Sequence, residues 1–207
     1  MNQIFISAGH HDSPDTPHFD DTGATHGAFR EATINMAIRD EVKELMPEVV
    51  CVPDDLNLRE SIDWVNARCA PNDIAIEIHQ NSNSNTSVRG TETYYDNEPE
   101  FGEILARNVS KALNVPNRGV RHDSESRAGS LGWIRLTKCS SALIECAYLS
   151  NEFDRFKIAS VRGQMDAAQG IKNAIIEYQH KLTLLTTLIS KLREMVAVLV
   201  KLVNVKK

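Results

Sequence analysis

Three stretches, Ala8-Gly9-His10, Ile76-Glu77-Ile78-His79-Gln80-Asn81 and Leu143-Ile144-Glu145-Cys146-Ala147-Tyr148-Leu149-Ser150-Asn151, each carry an apolar run onto a metal ligand or a carboxylate. With Glu31 between the first two, they supply His10, Glu31 and His79 as a donor set and Glu145 as a further carboxylate. A catalytic zinc takes three protein ligands, commonly two His and one Glu, and leaves its fourth position to water. A free carboxylate nearby can then take the water's proton. The residue types therefore point to a metal-dependent hydrolase.

The elements that must position these side chains follow from periodicity. Ile4, Phe5 and Ile6 predict a first buried strand, and residues 9–30 read as a loop without period. Glu31 opens a helix in which Ile34, Ile38, Val42 and Leu45 recur at helical spacing until Pro47. A short strand is expected at 49–52, a second helix through Leu58, Ile62, Val65 and Cys69, and a turn at Pro71-Asn72-Asp73. Residues 74–79 alternate as a strand ending on His79, with 90–95 as its neighbour. Glu77 is read as facing away from His79 and stays outside the site. A third helix runs from near Pro99 to Leu113, residues 118–129 form a loop, 133–136 and 141–147 are strands, and 162–178 is a last helix. Strands alternating with helices imply an α/β domain, whose chemistry gathers at strand ends.

Composition narrows the class. The chain has 207 residues, 42% of them hydrophobic, enough for one domain with a sizeable core and an appendage. Its start, Met1-Asn2-Gln3-Ile4-Phe5-Ile6, has neither the basic nor the long apolar region of a signal peptide, so synthesis in the cytoplasm is expected. No apolar stretch is long enough to span a bilayer. Cys51, Cys69, Cys139 and Cys146 lack paired spacing and read as reduced thiols. The net charge of −5 is uneven: from His180 onward six basic residues face Glu194 alone, a net of +5 that leaves −10 on the remainder. An acidic body argues against nucleic-acid binding, and a basic tail argues for an anionic surface or self-association.

Seven motifs in order carry a resemblance: Ser7-Ala8-Gly9-His10, Arg30-Glu31-Ala32, Leu56-Asn57-Leu58-Arg59-Glu60, Glu77-Ile78-His79-Gln80-Asn81, Gly90-Thr91-Glu92-Thr93-Tyr94-Tyr95, Arg118-Gly119-Val120 and Ile144-Glu145-Cys146-Ala147-Tyr148-Leu149-Ser150-Asn151. In these the chain resembles the zinc-dependent N-acetylmuramoyl-L-alanine amidases of the type 3 family, over residues 4–178. The resemblance implies a single mixed sheet flanked by helices, one Zn²⁺ held by His10, Glu31 and His79, and Glu145 as the base. It also implies bacterial peptidoglycan as substrate, cut between N-acetylmuramic acid and L-alanine. The Asn57-Leu58-Arg59-Glu60 variant is most similar to phage and prophage enzymes, so an endolysin acting on the wall after release is the expected setting.

Each assignment has a plainer rival. His11, His18, His26 and His122 are also capable ligands, and Glu31 at a helix start is favoured by the helix dipole without any metal. His79 could be a satisfied core histidine. Glu145 could pair with Arg118, Arg121 or Arg135; otherwise burial would raise its pKa and a nearby zinc would lower it. Two departures from the family, His11 after the first ligand and a long loop holding Pro14, Pro17, His18 and Asp20-Asp21, bear on peptide specificity. A zinc peptidase or carboxypeptidase acting on stem peptides, or a wall-binding protein without activity, are the alternative functions.

Residues 1–179 are the expected catalytic domain and 180–207 an appended amphipathic helix. Leu182, Leu185, Ile189, Leu192, Val196, Leu199 and Val203 follow three-four spacing, the a/d pattern of a coiled coil, with Leu188, Met195 and Leu202 as a third apolar column. A helix this apolar self-associates, lies on an anionic membrane or packs on its own body. No Gly or Pro follows Gly170, so the preceding helix is free to run on, with a bend expected near His180.

Overall fold

The computed structural model describes residues 2–12 and 20–204, with backbone alone at 11, 12, 20, 198, 199 and 201–204. Its elements run β1 (Ile4–Ala8), β2 (His11–Asp12), β3 (Asp20–Asp21), β4 (Thr25–His26), β5 (Phe29–Arg30), α1 (Glu31–Leu45), β6 (Val50–Cys51) and α2 (Leu58–Asn66). They continue with β7 (Ile74–Asn81), β8 (Thr91–Tyr95), α3 (Pro99–Leu113), β9 (Asn117–His122), α4 (Gly132–Leu136), β10 (Ser140–Tyr148), α5 (Glu152–Ala159) and α6 (Val161–Asn204). The main sheet has six strands in the order β6-β1-β7-β10-β8-β9. Every pairing is parallel except β10 with β8, so the sheet is mixed, mostly parallel and flanked by helices.

The central strands are apolar along their length because both faces are covered. Ile4, Phe5, Ile6, Ile74, Ile76, Ile78 and Ile144 are all buried. A buried cluster of Phe5, Ile62, Val65, Ala75, Trp133, Ile134 and Leu143 joins β1, β7 and β10 to α2 and α4. Helix α2 starts on a capping box, with Asn57 accepting from Glu60 N–H and Glu60 reaching back to Asn57 N–H. The Asn57-Leu58-Arg59-Glu60 motif thus has a structural use. Helix α1 carries no side-chain cap at Arg30, which leaves the Glu31 carboxylate to turn toward the sheet.

Four expectations are corrected. Residues 133–136 are helical, because Trp133 and Ile134 bury consecutive side chains in a segment too short for periodicity to decide. Strand β8 neighbours β10 and β9, with β10 inserted between it and β7. Residues 117–122 form edge strand β9, hidden by a register shift opposite Thr91 and Thr93 and by Gly119 at φ +77°. Helix α5, capped by Asn151, was not anticipated.

The chain divides into two compact units, Met1–Ala174 and Ile175–Lys207, with the division inside α6. Within the second unit α6 continues unbroken through His180 to Asn204. Leu185, Leu188, Ile189, Leu192, Met195 and Val196 are all exposed there. Leu199, Leu202 and Val203 of the heptad, and Lys201, Lys206 and Lys207, lie outside the described side chains. Among the described residues no helix is long and apolar enough to cross a membrane.

Candidate functional site

The carboxyl ends of β1 and β7 and the start of α1 meet at one point. Gly9 follows β1, donating its N–H to Ile78 O at 2.8 Å and accepting Asn35 Nδ2–H at 2.8 Å. Asn35 Oδ1 in turn accepts Gln80 Nε2–H at 3.1 Å, which ties α1 to both strands. A Cβ on Gly9 would lie 2.2 Å from His79 Nε2, so that imidazole occupies space only a glycine leaves. His10 follows at φ +63°, a region that non-glycine residues rarely adopt and that is retained where function over-determines it.

Glu31 lies between the two imidazoles. Its Oε1 accepts Gln80 N–H at 2.9 Å and lies 2.9 Å from His79 Nδ1. Its Oε2 accepts Ala24 N–H at 2.7 Å and lies 3.4 Å from His10 Nε2. The donor atoms of His10, Glu31 and His79 all fall within 4.8 Å of one another. Gly23, at φ +63°, completes the enclosure: a Cβ there would meet His10 Cδ2 at 2.5 Å and Glu31 Oε2 at 2.6 Å. Burial alone would raise the Glu31 pKa, but the hydrogen bond and charge of His79, with His10 and the Ala24 N–H, hold it below the usual carboxylate value. Burial opposes protonation of His79, yet its bonds to Glu31 and Glu77 push its pKa well above that of an ordinary histidine.

That last contact corrects the reading of Glu77. Residues two apart share a face of a strand, and Glu77 Oε2 lies 3.2 Å from His79 Nε2. Asp21 makes the corresponding contact on the other imidazole, 3.0 Å from His10 Nδ1. A cleft of about 170 Å³ opens beside these groups, lined in part by His10, His79, Leu58, Leu131 and Trp133.

Glu145 sits on β10 in register with His79. It is half-buried, and its Oε2 has no hydrogen-bond partner among the described residues. Burial raises its pKa, His79 pulls against that, and Glu31, Glu92 and Glu77 add to it, leaving the group at about 8. None of the three arginines considered for it is spent there. Arg118 and Arg121 point Nε at Glu92 Oε2, at 2.8 and 3.2 Å, and Arg135 grips Asp123 through Nε and Nη2 at 2.5 and 2.8 Å.

Glu92 is the buried charge that sequence reasoning passed over, although it lies within one of the motifs. It is in register with Glu145 on the neighbouring strand. Its Oε1 receives Asn81 Nδ2–H at 2.7 Å, Tyr148 O–H at 2.9 Å and Tyr94 O–H at 3.3 Å, while Oε2 faces the two arginines. The rival histidines stand elsewhere: His26 is exposed on β4, and His122 is bonded to Ser124. His122 does lie near Asp96 and Asp123, but both Asp123 oxygens already serve Arg135. His11 is described by backbone alone, and Pro14, Pro17 and His18 lie outside the described residues.

The family model described as N-acetylmuramoyl-L-alanine amidase (Amidase_3) matches residues 4–177. The chain belongs to that family. Among solved structures it resembles the catalytic domain of the amidase CwlV from Bacillus (Paenibacillus) polymyxa var. colistinus, at 28% identity and a TM-score of 0.75, covering 87% of this chain and 99% of that one. Among curated proteins it is 27% identical over 188 residues to the N-acetylmuramoyl-L-alanine amidase LytC of Bacillus subtilis (strain 168), covering 84% of this chain and 35% of LytC. It is 30% identical over 188 residues to YqiI of the same organism, covering 84% of each. The chain thus spans about a third of LytC and most of YqiI. The matched residues include the positions of His10, Glu31, His79 and Glu145.

Proposed function

We propose that the chain is a peptidoglycan hydrolase that cleaves the amide between the lactyl group of N-acetylmuramic acid and L-alanine, with a zinc ion held by His10, Glu31 and His79. The observation that carries this reading is the convergence of three donors within 4.8 Å beside a carboxylate oxygen with no partner of its own. Two imidazoles and one carboxylate are a catalytic zinc set, and the space around them is kept clear by Gly9 and Gly23. Bound zinc would lower the pKa of the attacking water and polarise the scissile carbonyl.

The remaining steps belong to the protein. Glu145 takes the water's proton and returns it to the leaving amine, a service typically worth on the order of 10²–10⁴ in rate. Glu77 and Asp21 fit the part of carboxylates that fix the orientation of ligating imidazoles. The Gly9–Asn35–Gln80 chain of hydrogen bonds holds the ends of β1 and β7 in register with α1, and the apolar wall of Leu58, Leu131 and Trp133 limits water in the cleft.

The test is mass spectrometry of fragments released from purified sacculi by zinc-loaded protein, chelated protein and Glu145→Ala. Stem peptides with a free N-terminal L-alanine, released only with metal and intact Glu145, are the expected result. Cuts within the peptide would make the chain a peptidase on the same donors, and no release would make it a wall-binding protein.

The setting we propose is an endolysin made inside the cell that meets the wall after release, supported by the similarity at Asn57-Leu58-Arg59-Glu60. Expression inside bacteria should lyse them only once the inner membrane is opened. For the second unit we propose self-association through the exposed Leu185, Leu188, Ile189, Leu192 and Val196 stripe. Sedimentation should report an oligomer that persists in high salt, whereas capture by anionic vesicles that fades with salt would favour the membrane instead.

A further inference from the structure

The Glu92 cluster sits beside the base and has more positive charge than it needs for itself. Arg118 and Arg121 reach the same oxygen, Glu92 Oε2, while Glu92 Oε1 is occupied by Asn81, Tyr94 and Tyr148. Two guanidiniums on one carboxylate leave the trio with a formal charge of +1. A guanidinium carries five N–H donors, and Glu92 engages each arginine through Nε. Arg121 Nε is at ion-pair distance yet off the line of a hydrogen bond, so it is held by charge more than by geometry. Both side chains reach solvent, at 29% and 36% exposure, whereas Glu92 beneath them is at 3%. Buried carboxylate below and partly exposed arginines above is the arrangement of a preorganised anion site.

We propose that Arg118 and Arg121, positioned by Glu92, form a subsite for a free carboxylate on the second residue of the stem peptide. This rests on the amidase reading and gives the substrate a direction. In the uncut bond the lactyl carboxyl is itself the amide, so the glycan side offers this cluster no free carboxylate, and the peptide side does. The peptide therefore runs from Glu145 across β8 toward β9, away from His10. Distances agree. Strands lie roughly 4.8 Å apart, so β9 is about 10 Å from β10. An extended peptide advances about 3.3–3.6 Å per residue, which brings the second residue and its side chain under the arginines.

The experiment compares kcat and KM on two muramyl dipeptides that differ only in their second residue, D-glutamate with free carboxylates or the same residue with both amidated. Wild-type protein should favour the free acid by about tenfold or more in kcat/KM, through KM, as a charge-assisted contact does. That preference should shrink between about 0.05 and 0.5 M salt, because partly exposed charges are screened. Arg118→Gln and Arg121→Gln should each bring the acid-to-amide ratio toward one, with Arg118→Lys restoring part of it. Thermal melts identify any variant that does not fold, and the wild-type salt series then decides by itself. A wild-type ratio near one, a ratio indifferent to salt, or a ratio kept by both folded glutamine variants would overturn the subsite. Release of no product from either substrate would overturn the amidase reading itself, and the subsite with it.

Discussion

Glu145 and Glu92 stand side by side on adjacent strands, on the same face of the same sheet, and are surrounded in opposite ways. On the β8–β9 side Glu92 accepts from four donors, two tyrosines, an asparagine and Arg118, with Arg121 at ion-pair distance, so it acts as an acceptor fixed on every side. On the β7–β10 side Glu145 has an oxygen without a partner, next to the imidazole of His79. A carboxyl group surrounded by donors anchors its neighbours, and one left short of donors can exchange a proton. The side chain is the same, and the residues across the strand decide its role.

Glu145→Gln is the sharpest way to break that contrast. It should lower turnover by about 10²–10⁴-fold without lowering the melting temperature, since it puts an amide of the same shape, which cannot ionise, in place of a half-buried carboxyl. A variant that keeps its activity would make Glu145 structural and the contrast empty. Gly9→Ala tests the donor side: its Cβ would sit 2.2 Å from His79 Nε2 and displace the ring. Misplacement on the order of 1 Å costs about 10²-fold in rate. Bound zinc measured by elemental analysis should fall along with turnover. Glu92→Ala should act on stability as well as on the acid preference that Arg118 and Arg121 confer. Removing one partner of a buried charge pair costs roughly 3–5 kcal/mol, and the exposure of Arg118 and Arg121 brings the expected loss to about 2 kcal/mol in a denaturant melt. If Glu145→Gln destabilised the fold as much as Glu92→Ala, the two carboxylates would share one structural role.

How far these roles were legible depended on whether a residue acts through its own strand or through a neighbour. His79 and Glu145 terminate apolar runs, and strands β1, β7 and β10 follow from those runs, with β7 extending to Asn81 and β10 to Tyr148. Glu31 was legible as the start of a helix, and its inward turn became visible only with Ala24 and Gln80 donating to it. Glu77 was misjudged although its period was readable, since a residue two positions from His79 must share its face. Glu92 was illegible because its role comes from Tyr148 on β10, which is not the next strand in sequence, and from Arg118 and Arg121 on β9, which the sequence pattern read as a loop. The short helix α4 and the edge strand β9 were missed for a related reason: five or six residues, one of them Gly119 at positive φ, hold too little pattern to outvote their neighbours.

A pH series isolates the proton on Glu145. In the metal-free fold this group sits at about 8, against an ordinary glutamate value of 4.5. Between those limits the folded protein keeps a proton that the unfolded chain has released, so stability falls as pH rises, by at most about 1.4 kcal/mol per pH unit for one proton. Below about 4.5 both states are protonated and Glu145 contributes no slope; above about 8 both are ionised and the penalty stays constant. His79 titrates beside Glu145 in both proteins, so the comparison is the stability of Glu145→Gln minus that of the wild type, each stripped of metal. That difference should open from about pH 4.5 and level off near pH 8. A difference that stays flat across the window would mean that Glu145 finds a donor in solution and belongs with Glu92 after all.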